Sequence, residues 1–225
     1  MTMAADPGAL AVRARQSLGT SDAAIYAAVL TLLEERGARG VLADVGCGTG
    51  NFWRVASHRF SRGVGVDALR YEGLPDSLEF RQVDLDTGRL PLRDGEVDAA
   101  VALETIEHVE NPRALFRELV RVVRPGGLVV VSTPNQHSLL SLLTLIVKGQ
   151  FSAFQDNAYP AHLSALLEVD LRRMAAECRL VDVVVRHTCR GRLPLSARHY
   201  PRWVSAALPR LLSDNVVLAG CRSRA

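Results

Sequence analysis

The chain has 225 residues, 48% of them apolar, a formal net charge of +3 and four cysteines. A chain of that length buries a full hydrophobic core without staples, and one domain over residues 1–225 is expected. The charge is too small to argue for a nucleic-acid partner, and Lys148 is the sole lysine, so the positive side is almost all arginine. Cys47, Cys178, Cys189 and Cys221 show no paired metal-type spacing, which points to a reduced, cytoplasmic setting. No basic stretch followed by an apolar core opens the sequence, and the longest apolar run, Leu139 to Val147, is too short to cross a bilayer.

In chain order, residues 1–20 carry Pro7, Gly8, Gly19 and scattered arginines, and read as a mobile arm or a short helix. Thr20-Ser21-Asp22 caps a helix whose apolar positions are Ile25, Val29, Leu32 and Leu33, with Gly37 ending it. Val41 to Val45 is an apolar strand that breaks into Gly46-Cys47-Gly48-Thr49-Gly50, followed by a helix from Asn51 to His58. Further strands are expected at 63–67, 78–84 and 97–103, ending at Asp67, Asp84 and just before Glu104. Asn111-Pro112 opens a helix that Pro125-Gly126-Gly127 closes, and a fifth strand runs from Leu128 to Ser132. Helices are expected at 135–147, 168–178 and 203–212, and closing strands at 181–185 and 215–218. Apolar strands alternating with helices imply an α/β fold, a Rossmann-like, seven-stranded, mostly parallel sheet with helices on both faces.

In such a sheet ligands sit beyond the carboxyl ends of the strands, where Asp44, Asp67, Asp84 and Glu104 fall. An acid about 20 residues after the glycine turn suits a ribose diol, in a dinucleotide fold as in others. The glycine spacing decides. A dinucleotide fingerprint needs G-x-G-x-x-G, yet the third position here is Asn51, and Gly50 comes one residue early. Asp44 beside the turn would repel a pyrophosphate and would suit a ligand carrying an ammonium group.

The segment Asp44-Val45-Gly46-Cys47-Gly48-Thr49-Gly50 resembles the first motif of class I S-adenosylmethionine-dependent methyltransferases. The resemblance continues through Asp67, Val83-Asp84-Leu85, Val97-Asp98, Pro125-Gly126-Gly127 and Ser132-Thr133-Pro134-Asn135. It implies S-adenosyl-L-methionine as cofactor and S-adenosyl-L-homocysteine as product. Asp44 and the backbone of Gly46, Cys47, Gly48 and Gly50 would hold the methionine part. Asp67 would grip the ribose and Ala68 would lie against the adenine. Asp84 and the Leu85 N–H would meet the adenine edge, and Leu103 would border the methyl-transfer side.

Glu104-Thr105-Ile106-Glu107-His108 is similar to the E-x-x-E-H metal motif of two O-methyltransferase groups, the ubiquinone-biosynthesis type and the small-RNA 2′-O type. If these residues share one helical turn, Glu104, Glu107 and His108 lie on one face. The resemblance adds His162 after Thr133-Pro134-Asn135, giving a tentative site for Mg²⁺ or another divalent cation. Glu104, His108 and His162 are accordingly candidate catalytic groups. The competing reading places Glu104 in the cofactor pocket, with Glu107 and His108 on a solvated helix.

Residues 136–175 are the expected acceptor-binding insertion or lid. Their leucine-rich helix reads as buried against the sheet, with a lid, a homodimer contact or a peripheral membrane surface as alternatives. Arg186, Arg190, Arg192, Arg198 and Arg202, with His187 and His199, make a basic loop suited to a phosphate, a carboxylate or a sulfated glycan, or simply a solvated surface. Aromatic residues are not interleaved with them, which argues against RNA. The expected reaction is O-methylation of a small molecule, sugar or lipid-linked acceptor. N-methylation is one alternative. The other is a non-catalytic role like that of the methyltransferase-like protein that partners homoserine acylation, which the Thr-Pro-Asn stretch loosely resembles.

Overall fold

A computed structural model describes residues 21–224, so the expected arm over residues 1–20 lies outside the described residues. Helix α1 (Ala23–Glu35) starts where the Asp22 carboxylate accepts from Ala24 N at 2.8 Å, and it buries Ile25, Val29, Leu32 and Leu33 as their spacing predicts. Strand β1 (Val41–Val45), the short helix α2 (Asn51–Ala56) and strand β2 (Arg62–Asp67) follow. The expected helix to His58 stops at Ala56 and tightens into a 3₁₀ turn over Ser57–Arg59. Then come β3 (Leu78–Gln82), β4 (Val97–Leu103) and helix α3 (Pro112–Val122). Asn111 caps α3, accepting from Ala114 N at 3.0 Å, and Pro112 occupies a first-turn position where no amide donor is lost.

Strand β5 (Val123–Pro134) is longer than its apolar run suggests. Pro125-Gly126-Gly127 does not form a loop after α3 but an irregular start to the strand, and the register against β4 shifts between Val97 and Ala99. Helix α4 (Leu139–Lys148), helix α5 (Glu168–Glu177), strand β6 (Leu180–His187), helix α6 (Arg202–Ala207) and strand β7 (Asn215–Arg222) complete the order.

The sheet runs β3-β2-β1-β4-β5-β7-β6, with β1 to β5 parallel and β7 antiparallel to both of its neighbours. Alternate side chains feed two cores. Ala100 and Ala102 of β4 and Val129 and Val131 of β5 meet Leu115, Phe116 and Leu119 of α3 and Leu171 and Met174 of α5. Ala99 and Val101 with Leu128 and Val130 meet Ile25 and Val29 of α1 and Phe52 and Trp53 of α2. Each fully buried Leu or Phe contributes about 1.5–3 kcal/mol, so packing on both faces fixes the sheet and with it the strand ends.

Helix α4 departs from the expectation of burial. Ser141 is its one buried residue, while Ile146 and Val147 are 80% and 79% exposed. The helix is anchored at its start instead: Ser138 caps it, and Leu139 N donates to Leu211 O at 2.7 Å. Its leucines therefore do not mark a core element. Among the described residues no helix is long and apolar enough to cross a membrane.

Candidate functional site

The order of strands along the chain reverses between β1 and β4, and there the crevice beyond the carboxyl ends opens. The glycine turn leaves β1 at that point. Gly46 has φ +75°, and a Cβ placed on it would lie 2.2 Å from Thr105 Oγ1. Thr105 in turn donates to Val45 O at 3.3 Å and Leu103 O at 3.1 Å, tying the ends of β1 and β4 together. Gly50, at φ +75°, begins α2 against Pro75, where a Cβ would come within 2.6 Å of the proline ring. Both glycines are thus required by close approach as well as by backbone conformation.

Asp44 lies in β1 between Gly65 and Val101 of the neighbouring strands and is 3% exposed. One of its carboxylate oxygens is buried without a hydrogen-bond partner. Burial, and then the charge of Asp67, push its carboxyl up to about 7. A buried acid lacking a donor is costly. Asp67 is differently placed: it accepts from Gly48 N at 2.8 Å and Ala68 N at 2.7 Å, bonds that oppose the rise caused by its burial. It holds the turn's amides in place from the end of β2. Cys47 packs inside, and burial with Asp44 and Asp67 beside it pushes its thiol far up, so it stays protonated and serves as filler.

Asp84 ends up beyond β3 and not in it, capping the 3₁₀ turn Leu85–Thr87 by accepting from Asp86 N at 3.0 Å. Leu85 packs against the α3 side of the core. Ala68 and Leu103, 9% and 7% exposed, line the ends of β2 and β4.

The expected single helical turn over 104–108 is not formed. Glu104 adopts φ +50° after β4, and only Ile106–His108 are helical, as a 3₁₀ turn. Glu104 therefore does not share one helical face with its two expected companions. Its carboxylate accepts from Ser132 Oγ at 3.0 Å and Asn215 Nδ2 at 2.7 Å, across to β5 and β7. Burial, with the Asp22 charge adding to it, raises its carboxyl. Ser132 and Asn215 are site residues that the sequence reading did not assign. The position of Ser132 at the end of an apolar strand was a readable signal, whereas nothing local marks Asn215.

Glu107, His108 and His162 do converge. One ligand atom from each lies within 4.8 Å of the others, and the two imidazole rings are 4.7 Å apart. Glu107 is fully buried with both carboxylate oxygens lacking a hydrogen-bond partner, and burial followed by the Glu104 charge raises it well above the carboxylate range. His108 Nδ1 meets Ala161 O at 2.7 Å and His162 Nδ1 meets Ala153 O at 2.5 Å. A carbonyl only accepts, so in both rings Nδ1 carries the proton and Nε2 the lone pair. Burial lowers His162 in turn. The segment carrying His162 is laced to this site, since Leu163 N and Ser164 N both donate to Glu107 O, at 2.9 and 3.0 Å.

Comparison with known proteins agrees with this geometry. Residues 43–131 match the family described as a methyltransferase domain. A Mycolicibacterium smegmatis protein named "Probable S-adenosylmethionine-dependent methyltransferase" is 28% identical over 76% of this chain and 64% of its own length. The ubiquinone biosynthesis O-methyltransferase of Idiomarina loihiensis is 25% identical over 63% of this chain and 62% of its own. The chain thus spans less than two thirds of the length of these relatives. Among solved structures, an S-adenosylmethionine-dependent methyltransferase from Thermotoga maritima superposes with a TM-score of 0.62 at 19% identity, over 94% of this chain and 92% of that one. The fold is that of a class I methyltransferase.

Proposed function

We propose that this chain, built on a class I S-adenosylmethionine-dependent methyltransferase domain, transfers a methyl group to an oxygen of a small acceptor. Three features support cofactor binding: the glycine turn at the strand reversal, the match over residues 43–131, and Asp44. The partnerless Asp44 oxygen is the kind of group an α-ammonium would satisfy, and Asp67, already holding the turn, has lone pairs left for ribose hydroxyls. When bound, S-adenosylmethionine supplies an electrophilic methyl group. The protein's part is to hold the acceptor in line and to remove its proton.

The convergence of Glu107, His108 and His162 carries the choice of oxygen. A hydroxyl must lose a proton as it is methylated, and an imidazole whose pKa burial has lowered is neutral and ready to accept it at neutral pH. Alternatively the same donor set, one carboxylate and two imidazoles with Nδ1 bonded to carbonyls, would hold a divalent cation, as the partnerless Glu107 oxygens favour; the Nε2 lone pairs would then be taken by the ion and the hydroxyl's proton would pass to solvent. Such a cation would lower the pKa of a hydroxyl beside it. Two nitrogen ligands suit Mn²⁺, Fe²⁺ or Zn²⁺ better than Mg²⁺. Glu104 lies outside this set, held by Ser132 and Asn215.

Glu107→Gln and His162→Asn, assayed with and without chelator and with each ion restored, test the proposal. Both variants should lose about a hundredfold in kcat, as for a lost proton acceptor, while still binding S-adenosylhomocysteine. Chelator-insensitive turnover at full rate removes the cation; full rate in both variants removes the oxygen acceptor with it. A non-catalytic partner role predicts that the chain does not bind S-adenosylhomocysteine at all.

A further inference from the structure

A cavity of about 450 Å³ opens between α1 and the chain that leaves β6. Its floor is a face of small residues on α1, Ala23, Ala24, Ala27 and Ala28, whose short side chains leave the space. Its wall carries Arg186, Arg190 and Arg202 with His187 and His199, brought from two separate stretches of chain. Among the described residues no acidic side chain lines it. Two of the arginines are paired with acids nearby: Arg186 with Glu35 at 2.9 Å and Arg190 with Asp22 at 3.1 Å. Each pairing engages one nitrogen of the guanidinium, so further N–H donors remain. Arg202 makes no ion pair among the described residues. The cavity wall is bonded to the candidate site: Thr188 donates from its N–H to Asn215 O at 3.3 Å, and Asn215 Nδ2 donates to Glu104.

We propose that this cavity binds a phosphate group carried by the methyl acceptor, an assignment that rests on the methyl-transfer reading for the acceptor role. A carboxylate is satisfied by one guanidinium fork, whereas three guanidinium groups, two with donors left over from their pairing with Glu35 and Asp22 and one with no ion pair among the described residues, match an oxyanion with several acceptor oxygens. The alanine floor leaves room for the uncharged body behind that group, and the cavity wall is hydrogen-bonded through Thr188 and Asn215 to Glu104 at the strand ends.

Calorimetric titration of the full chain with phenyl phosphate, and separately with benzoate, tests the assignment. Phenyl phosphate should bind the more tightly of the two. Arg202→Gln and Arg186→Gln should each weaken it about tenfold or more, as for loss of a hydrogen bond between charged groups, and leave S-adenosylhomocysteine affinity unchanged. Arg202→Gln breaks no ion pair among the described residues, so its thermal unfolding should match the parent and exclude misfolding as the cause. Absence of phenyl phosphate binding, equal binding of benzoate, or unchanged affinity in both variants overturns the proposal. Failure of the parent chain to bind S-adenosylhomocysteine strikes the methyl-transfer reading instead, because the phosphate titration is scored on its own.

Discussion

The two halves of the crevice are built in different ways. The turn side comes from one continuous run, β1 through β2, in which Gly46, Asp44 and Asp67 lie within 24 residues and are set by strand pairing and backbone conformation. The opposite side is gathered from far apart: Glu104 after β4, Ser132 in β5, His162 in the segment before α5, and Asn215 opening β7. A site held by backbone geometry tolerates few changes and carries one task. A site assembled by side chains from distant segments can be retuned without disturbing the sheet.

The sharpest way to break the comparison is at the turn. Gly46→Ala forces a Cβ against Thr105 at a left-handed φ, and should cost roughly 3 kcal/mol from backbone strain and overpacking together. Denaturant unfolding should show this loss, with S-adenosylhomocysteine binding abolished; a native-like midpoint would mean the turn is not held as described.

A smaller and opposite pair of effects is expected at Asp44. Its carboxyl is raised to about 7, above its unfolded value, so its contribution to the free protein's stability is full below pH 4 and lost as pH rises toward 7. Asp44→Asn should therefore stabilise the free chain at pH 8 and weaken S-adenosylhomocysteine about tenfold or more, as for a lost charged hydrogen bond. In the parent, affinity should improve between pH 6 and pH 8 as the carboxylate ionises, and that improvement should vanish in the variant. Titration calorimetry at the two pH values decides it.

The least disruptive change should separate the two sides. Asn215→Ala removes one donor from Glu104 and should lower kcat about tenfold while leaving S-adenosylhomocysteine affinity within about twofold, since one hydrogen bond to a charged group is at stake. An equal loss in both measurements would show that the halves are coupled.

Element type could be read without coordinates because it rests on local rules, and the cofactor expectation because the motifs that carry the resemblance are short and local. Strand periodicity, the glycine spacing and the Asn111-Pro112 cap act over a few residues each, and Ile25, Val29, Leu32 and Leu33 fall on the buried face their spacing implies. The acceptor side was legible only as a list of residue types. Glu104 was grouped with Glu107 and His108 by assuming a helix, but its left-handed backbone points it at Ser132 and Asn215 instead. The leucine-rich α4 was similarly misread as buried, because composition reports hydrophobicity and not which neighbours arrive to cover it. By itself, then, the sequence determined the sheet and the turn, since these follow from short-range backbone conformation and burial pattern. Only the tertiary structure decided which acids meet which histidines, and which arginines face a common space, because those pairings depend on how β5, β7 and the segments between them close over the strand ends.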